Sequence, residues 1–379
     1  MKLTCVQENL SKALSLVNRA VATRSSLPVL SNVLVATDSS MLKLAATNME
    51  ISTTVVVGCK IESEGAVTVP ARLLTDLVSQ FEAGPVELEL NSETLELALS
   101  SGKYHATVKG ISADDFPPLP TAEPGTALRI DPAKLKQMVD LTTIAAATDD
   151  SRPVLAGVSI AIGPDSLVFA AADGYRLAVK TLETQTDISA ASAKVQIIVP
   201  RNSMLELSRI LVEAEEEVEI IISPQATHAV FNVGSVQMIS HLIEGQFPNY
   251  EQLVPTDFQT RLVMNTAEFS KATRIASIFA RGGSNVIRFE ADPAVNGSGS
   301  VSVSAESADV GKNSGDLDAT IEGEQAFIAF NARFLGECLG TIDTEEVEVQ
   351  LSGATSPGLI RPLGDESYTH VIMPMHTVR

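Results

Sequence analysis

The chain has 379 residues, of which 45% are apolar and 4% aromatic, and its formal net charge is −20. This length favours two or three domains with aliphatic cores, and the acidic balance disfavours general attraction to nucleic acid without excluding a local basic surface. The three cysteines lack a Cys-x-x-Cys spacing, and there is neither an apolar leader nor an apolar run of about 18 residues, so we expect a cytoplasmic protein with reduced thiols and no membrane span.

Three amphipathic helices are predicted to open three similar segments. They begin near Glu8, at Asp131-Pro132 and at Asn265-Thr266. Asp131 and Asn265 are suited to be N-caps, and Pro132 suits the first helical position. The two caps lie 134 positions apart, which is the first sign of an internal repeat.

A second predicted helix recurs with nearly the same spacing. It follows Val69-Pro70-Ala71, Val199-Pro200-Arg201 and Phe330-Asn331-Ala332, at intervals of 130 and 131 residues. The pair Phe116-Pro117 recurs 131 residues later as Phe247-Pro248. These intervals predict an α+β protein made of three helix-strands-helix-strands domains, over residues 1–127, 128–257 and 258–379.

Strand patterns lie between the two helices of each unit. Residues 41–47 and 166–172 are apolar runs, and 300–304 alternate strictly between serine and valine. The stretch 292–316 is rich in Gly, Ser and Asp and is predicted to be a long hairpin loop. The carboxyl-terminal run from Tyr368 is predicted to be a last strand whose pairing stops near Pro374, because proline cannot donate to a ladder.

Basic residues are concentrated in the predicted helices. The six helices, taken as 8–23, 71–81, 132–147, 201–213, 266–281 and 331–340, hold eleven basic and seven acidic residues in an acidic chain. If these helices lined one surface, that surface could hold phosphates without reading bases. The alternative is that the basic residues occupy ordinary solvated helix faces.

No sequence motif supports catalysis, a cofactor or a metal. The chain has no Gly-x-x-x-x-Gly-Lys phosphate loop, no Gly-x-Gly-x-x-Gly, no His-Glu-x-x-His and no Gly-x-Ser-x-Gly, and its five histidines are dispersed. Asp173 and Arg176 are predicted to form a structural ion pair in a turn rather than a catalytic pair. We therefore expect a protein that is not an enzyme.

Several segments together resemble the bacterial sliding clamps, the β subunits of DNA polymerase III. They are the threefold repeat, Leu27-Pro28-Val29-Leu30, the run from Ala172 to Ala178, Phe247-Pro248-Asn249-Tyr250, and Met373-Pro374-Met375. The resemblance implies a head-to-tail homodimer that closes a six-domain ring around duplex DNA without sequence readout. It also implies that DNA polymerase III, the clamp loader and other proteins dock short peptides in a cleft, without catalysis.

The resemblance also implies three groups of site residues. The first is a peptide cleft with apolar pockets, in which Arg176 and Asn331 would satisfy polar groups of the peptide: Leu155, Ala172, Gly174, Tyr175, Arg176, Leu177, Pro248, Gln252, Leu253, Asn331, Phe334, Val371, Ile372, Met373, Pro374 and Met375. The second is a set of DNA contacts: Arg24, Arg72, Lys134, Lys136, Arg152, Arg201, Arg209 and Lys271. The third is a dimer interface at Val108 and Ile278.

This chain departs from the family pattern at a few positions of the cleft. Ala172 stands where threonine is common, Tyr175 where histidine is common, and Gln252 where a basic residue is common. The chain also continues past Met375 as 376–379. Two alternatives stay open from the sequence: a monomeric repeat-built scaffold that binds proteins and never encircles DNA, and an enzyme that uses Asp173 and Arg176.

Overall fold

The structure is a computed structural model that describes residues 1–22, 25–120, 126–149, 151–183, 195–281, 284–293 and 299–375. Three domains repeat one order of elements: a strand, a helix, four strands, a second helix and three strands. The predicted α+β class and the threefold repeat are confirmed. The strand that opens each domain was missed by the sequence analysis.

The elements follow in chain order. The first domain contains β1 Lys2–Val6, α1 Gln7–Val17, β2 Asn32–Asp38, β3 Met41–Thr47, β4 Ile51–Ser63, β5 Ala66–Pro70, α2 Ala71–Ser79, β6 Pro85–Asn91, β7 Glu96–Ser101 and β8 Tyr104–Lys109. The second contains β9 Thr126–Ile130, α3 Pro132–Thr143, β10 Gly157–Ile162, β11 Ser166–Ala172, β12 Arg176–Glu183, β13 Val195–Pro200, α4 Arg201–Ile210, β14 Val218–Ile222, β15 His228–Val233 and β16 Val236–His241. The third contains β17 Thr260–Asn265, α5 Thr266–Ala280, β18 Val286–Asp292, β19 Gly299–Ser307, β20 Gly311–Gly323, β21 Ala326–Asn331, α6 Ala332–Leu339, β22 Glu346–Leu351, β23 Gly358–Pro362 and β24 Tyr368–Ile372.

The predicted helix starts are confirmed, and two of them rest on the predicted caps. The side chain of Asp131 accepts the N–H of Lys134 at 3.0 Å, and that of Asn265 accepts the N–H of Glu268 at 3.1 Å. The predicted helix ends lie too far along the chain. In the first domain, α1 ends at Val17, and Ala22 donates its N–H to the carbonyl of Leu30 at 3.0 Å.

The predicted hairpin loop over 292–316 is wrong for most of its length. β19 and β20 pair antiparallel from Gly299 opposite Ala319 to Ser307 opposite Gly311. Val301 and Val303 are buried, whereas the serines between them are more exposed. Alternation of this kind specifies a strand even when small polar residues fill every second position.

The chain divides into two compact units, each of which contains one twelve-stranded sheet among the described residues. The first unit, described over 1–22, 25–120, 126–136 and 205–242, contains β1–β9 and β14–β16. The second, described over 137–149, 151–183, 195–204, 243–281, 284–293 and 299–375, contains β10–β13 and β17–β24. The strands of the middle domain are thus shared between both sheets.

The sheets join neighbouring domains by the same strand pairing. In the first unit, β16 of the middle domain pairs with β4 of the first domain, so that Ser240 lies opposite Ile51. In the second unit, β24 of the last domain pairs with β12 of the middle domain, so that Ile372 lies opposite Arg176. The last strand of one domain therefore completes the sheet of the domain before it.

Candidate functional site

A tight turn between β11 and β12 organises the candidate site in the second unit. The carboxylate of Asp173 accepts the N–H groups of Tyr175 and Arg176 at 2.9 and 3.0 Å. Gly174 has φ +91, a left-handed conformation that glycine adopts without steric cost. The turn leaves the ring of Tyr175 62% exposed.

The guanidinium of Arg176 is buried and has partners inside the protein. Its Nε lies 3.1 Å from the carboxylate of Asp173, and its Nη1 lies 2.5 Å from that of Glu337. The guanidinium carbon also lies 4.4 Å from the ring centre of Phe334. The structural ion pair predicted for Asp173 and Arg176 is therefore present, and the contact of Arg176 with a peptide stays a prediction.

The carboxyl-terminal strand forms one wall of the site. β24 ends at Ile372, so pairing stops before Pro374 as predicted. Beyond it, the N–H of Met373 donates to the carbonyl of Tyr175 at 2.8 Å, and that of Met375 donates to the carbonyl of Ala329 at 2.8 Å. These bonds hold the three residues from Met373 to Met375 beside the turn, whereas 376–379 lie outside the described residues.

An apolar cluster lies beneath this surface. Its buried members include four predicted cleft residues, Leu155, Ala172, Leu177 and Val371. Because these four side chains are buried, they can only underlie the predicted cleft, and the exposed apolar side chains among the predicted residues are Tyr175, Leu253 and Met373. Sequence reasoning missed five partly buried residues that pack on the same cluster, namely Val154, Val179, Ile243, Tyr250 and Val254.

The remaining predicted cleft residues lie on other segments of the second unit. Pro248 and Gln252 are exposed on the segment after Phe247, whose ring contacts that of Tyr250 edge to face at 6.2 Å between centres. Asn331 is the N-cap of α6, where its side chain accepts the N–H groups of Arg333 and Phe334. Ile372 is fully buried and offers no side-chain surface to a ligand.

Arg152 lies at the cleft turn. Its Nη2 donates to the carbonyl of Asp173 at 2.6 Å, and its guanidinium lies against Gly174. The sequence analysis assigned Arg152 to DNA. The structure instead gives this side chain a contact that supports the turn, and a DNA contact stays a prediction.

The other predicted DNA residues are helical where the structure describes them. Arg72, Lys134, Arg209 and Lys271 are exposed, whereas Lys136 and Arg201 are half-buried. Arg209 forms an ion pair with Glu206 at 2.8 Å. Arg24 lies outside the described residues.

The two predicted dimer residues differ in exposure. Ile278 on α5 is 57% exposed. Val108 on β8 is only 3% exposed, so its side chain belongs to the core of its own domain. Its side chain is therefore closed to a second copy. Its backbone can still pair with one, because β8 is an edge strand of the first sheet.

Two further observations concern the described residues as a whole. None of their helices is both long and apolar enough to cross a membrane. No three of their His, Cys, Asp or Glu side chains come close enough together to hold a metal ion.

Family models and relatives match the chain along almost its whole length. Models of the N-terminal, central and C-terminal domains of the DNA polymerase III beta subunit match residues 1–120, 129–249 and 251–376. The beta sliding clamp of Synechococcus elongatus is 34% identical over 378 residues, 99% of each chain. That of Staphylococcus aureus is 30% identical over 369 residues, 95% of each chain.

Solved structures give the same result for the fold. The DNA polymerase sliding clamp of Bacillus subtilis matches with a TM-score of 0.92 and 29% identity, and the DNA polymerase III beta subunit of Pseudomonas aeruginosa with 0.90 and 30%; both cover 100% of each chain. The repeated domains and these matches agree. The chain belongs to the DNA polymerase III beta subunit family.

Proposed function

We propose that this protein is a DNA sliding clamp. Two copies close a ring of six domains, bounded in each chain near 127 and 257, and duplex DNA passes through it. The clamp loader, DNA polymerase III and other proteins dock peptides in the cleft, so that tethering raises the polymerase's effective concentration at its substrate. The protein acts without catalysis in the cytoplasm, where these partners work.

The observation that carries this proposal is the repeated pairing of sheet edges. β16 completes the sheet at β4, and β24 completes the sheet at β12. By the same rule, β8 is the last strand of the first domain, and no earlier domain of the chain is available to pair with it. The strand of the third domain that is equivalent to β4 and β12 is β20. A head-to-tail pairing of β8 with β20 of a second copy, repeated by twofold symmetry, uses both edges and closes the ring.

The register of this pairing follows from the two pairs within the chain. Ile51 opposite Ser240 and Arg176 opposite Ile372 are equivalent positions of the repeat. The same register places Val310 near Val108 of the second copy. It also brings exposed Lys109 and exposed Asp309 together, a pair of opposite charge.

A charge exchange at these two residues tests the dimer. The 40.1 kDa chain should sediment at equilibrium with twice that mass. Lys109→Glu and Asp309→Lys should each weaken the dimer, because each places like charges opposite one another, and the double variant should restore it. Lys43→Glu, on an inner strand of the same sheet, is the control. A wild-type monomer at micromolar concentration, or a double variant no tighter than the singles, would contradict this pairing.

The charge distribution supports a passage for DNA lined by helices. The six helices of the described chain hold nine basic and six acidic residues, although the whole chain has a net charge of −20. A modest positive excess suits non-specific contacts with phosphates, since a closed ring needs no tight grip to stay on DNA. A monomeric scaffold would have no use for this excess and would leave the edges of β8 and β20 unpaired.

The cleft suits a short peptide with apolar anchors. Tyr175, Leu253 and Met373 are exposed apolar side chains beside a buried apolar floor. A labelled Gln-Leu-Ser-Leu-Phe peptide should bind the intact chain and fail to bind a chain that ends at Ile372. A chain that ends at Met375 is the control and should bind normally. Equal binding by all three chains would place the docking site elsewhere.

A further inference from the structure

The first unit contains a second copy of the loop that shapes the cleft. The side chain of Asn48 accepts the N–H groups of Glu50 and Ile51 at 3.0 and 2.8 Å, as Asp173 does for the two residues at the equivalent positions. Met49 has φ +76 at the place where Gly174 has φ +91. The two turns therefore have the same internal bonding.

The contacts around this turn are repeated as well. The N–H of His241 donates to the carbonyl of Glu50 at 2.9 Å, just as that of Met373 donates to Tyr175 at 2.8 Å. Phe116 packs on Val29 and Leu30, as Phe247 packs in the cluster with Leu155. The scaffold of the cleft is therefore present twice in the chain.

At this second place the scaffold borders an open surface cavity of about 410 Å³. That volume lies within the range of small-ligand pockets, which is roughly 300–1,000 Å³. Residues of the turn and its flanks, a proline-rich segment and two histidines line it: Thr47, Met49, Ser52, Pro117, Pro118, Leu119, Pro120, His228 and His241. The prolines form a stiff apolar wall, and Met49 is 54% exposed.

The polar group that this cavity offers to a ligand comes from one of its two histidines, His241. The hydroxyl of Thr47 donates to the carbonyl of Ile51 at 3.1 Å, and that of Ser52 donates to Thr47 at 2.8 Å, so both are already used. His228 and His241 lie opposite each other on β15 and β16. The Nε2 of His228 is buried and its Nδ1 lies 3.1 Å from the hydroxyl of Thr227, so this ring is closed to a ligand, whereas His241 is exposed. The lining residues include no Asp, Glu, Lys or Arg.

We propose that this cavity is a second peptide-docking site, for a short extended peptide in which an apolar side chain stands next to a carboxylate. The apolar side chain packs against Met49 and the proline wall. The carboxylate accepts an N–H bond from the imidazole of His241, which is the only exposed titratable group lining the cavity among the described residues. The class of ligand rests on the proposed peptide docking at the cleft, whereas the preference for a carboxylate rests on the lining itself.

Methionine methyl groups allow both sites to be observed in one experiment on the full chain. The chain has nine methionines, of which Met49 lines the cavity and Met373 and Met375 border the cleft. The chain is labelled with ¹³C at its methionine methyls, the Met49 signal is assigned with Met49→Leu, and two peptides are titrated. These are acetyl-Gly-Leu-Asp-Leu-Gly-amide and acetyl-Gln-Leu-Ser-Leu-Phe-amide.

The proposal predicts a saturable shift of the Met49 signal with the aspartate peptide. Replacement of Asp by Asn in that peptide, or His241→Ala in the protein, should weaken the binding about tenfold, since each removes a charge-assisted hydrogen bond. His105→Ala, which changes an exposed histidine on β8, should leave the binding unchanged. The glutamine peptide should instead shift Met373 and Met375.

The outcomes separate this inference from the proposed function. An unshifted Met49 signal at millimolar aspartate peptide overturns the second site. So does binding of the Asn peptide, or binding of the aspartate peptide to His241→Ala, that is as tight as binding of the aspartate peptide to the wild-type chain. If Met373 and Met375 still respond to the glutamine peptide, docking at the cleft stands. If they do not respond, docking at the cleft is contradicted, whatever happens at Met49.

Discussion

Arg176 and Glu337 form an ion pair at 2.5 Å between residues 161 positions apart in the chain. Arg176 is buried and Glu337 is partly exposed, so the pair joins the cleft turn to α6 at its solvent edge. Glu337→Gln keeps the shape but removes the charge. We expect a loss of about 1 kcal/mol of unfolding free energy, a figure reduced for solvent screening.

Urea denaturation measures this effect. Glu345→Gln, at an exposed position just before β22, is the control, and it should change stability by less than about 0.5 kcal/mol. The Glu337 variant should also bind the glutamine peptide more weakly, because Arg176 and Phe334 would be less firmly positioned. Equal stability of the two variants would mean that Glu337 contributes nothing to the turn.

Gly174 should accept a side chain only at a cost in stability. A Cβ at this residue would lie 2.6 Å from Nη1 of Arg152, and φ is +91. Gly174→Ala should therefore destabilise the second unit by about 1–3 kcal/mol and weaken peptide binding. Gly336→Ala is the matched control. It lies in α6 with open space around its Cβ, and it should be neutral or stabilise by up to about 1 kcal/mol. Similar losses for both variants would contradict this explanation.

His370 should make stability fall as the pH falls. Complete burial, together with the positive charge of Arg176, lowers the pKa of His370 to about 3. The unfolded chain binds a proton at this residue below about pH 6.5, and the folded chain does not. Above about pH 6.5 the titration of His370 therefore does not reduce the free energy of unfolding. At pH 5 it reduces the free energy of unfolding by about 2 kcal/mol.

Urea denaturation at pH 5 and pH 7 measures this loss. His370→Phe removes the titrating group, so the difference in stability between the two pH values should shrink, whatever the absolute stability of the variant. If the variant and the wild-type chain showed the same difference in stability between pH 5 and pH 7, His370 would not be the cause of that difference.

The three cysteines should differ in reactivity. Burial, with a smaller contribution from Cys59, raises the pKa of Cys5 to about 12, and burial also raises the pKa of Cys338. Cys59 is only partly buried. Because the thiolate is the reactive form, iodoacetamide at pH 8 should modify Cys59 first in the native protein and all three in denaturant. Mass spectrometry of peptides gives the order in which the cysteines are modified. Modification of Cys338 before Cys59 would contradict the burial of the Cys338 thiol.

The sequence predicts what depends on local pattern and spacing. The caps at Asp131 and Asn265 and the 131-residue intervals were enough to find the helices and the threefold repeat. The strands that open each domain were missed because β1, β9 and β17 are only five or six residues long and are followed by a helix after at most one residue. The alternation over 300–304 predicted a strand, which lies within β19, but the Gly, Ser and Asp residues around it led to the prediction of a loop where β19 and β20 pair.

What the sequence could not show depends on partners distant in the chain. The sequence predicted the ion pair of Arg176 with Asp173, but not its contacts with Glu337 and Phe334, which lie more than 150 residues away. Arg152 was assigned to DNA by the family resemblance. Its bond to the Asp173 carbonyl depends on the shape of the turn, which the sequence does not show.

The central claim is that two copies encircle DNA. The most direct measurement mixes the protein with nicked circular plasmid and clamp loader, removes free protein by gel filtration, and compares retention before and after a restriction enzyme linearises the circle. A closed ring should stay on the circle at 0.5 M salt, where backbone contacts are screened, and leave from the ends once the plasmid is cut. Equal retention on circular and linear DNA, or loss from both at high salt, would contradict encirclement.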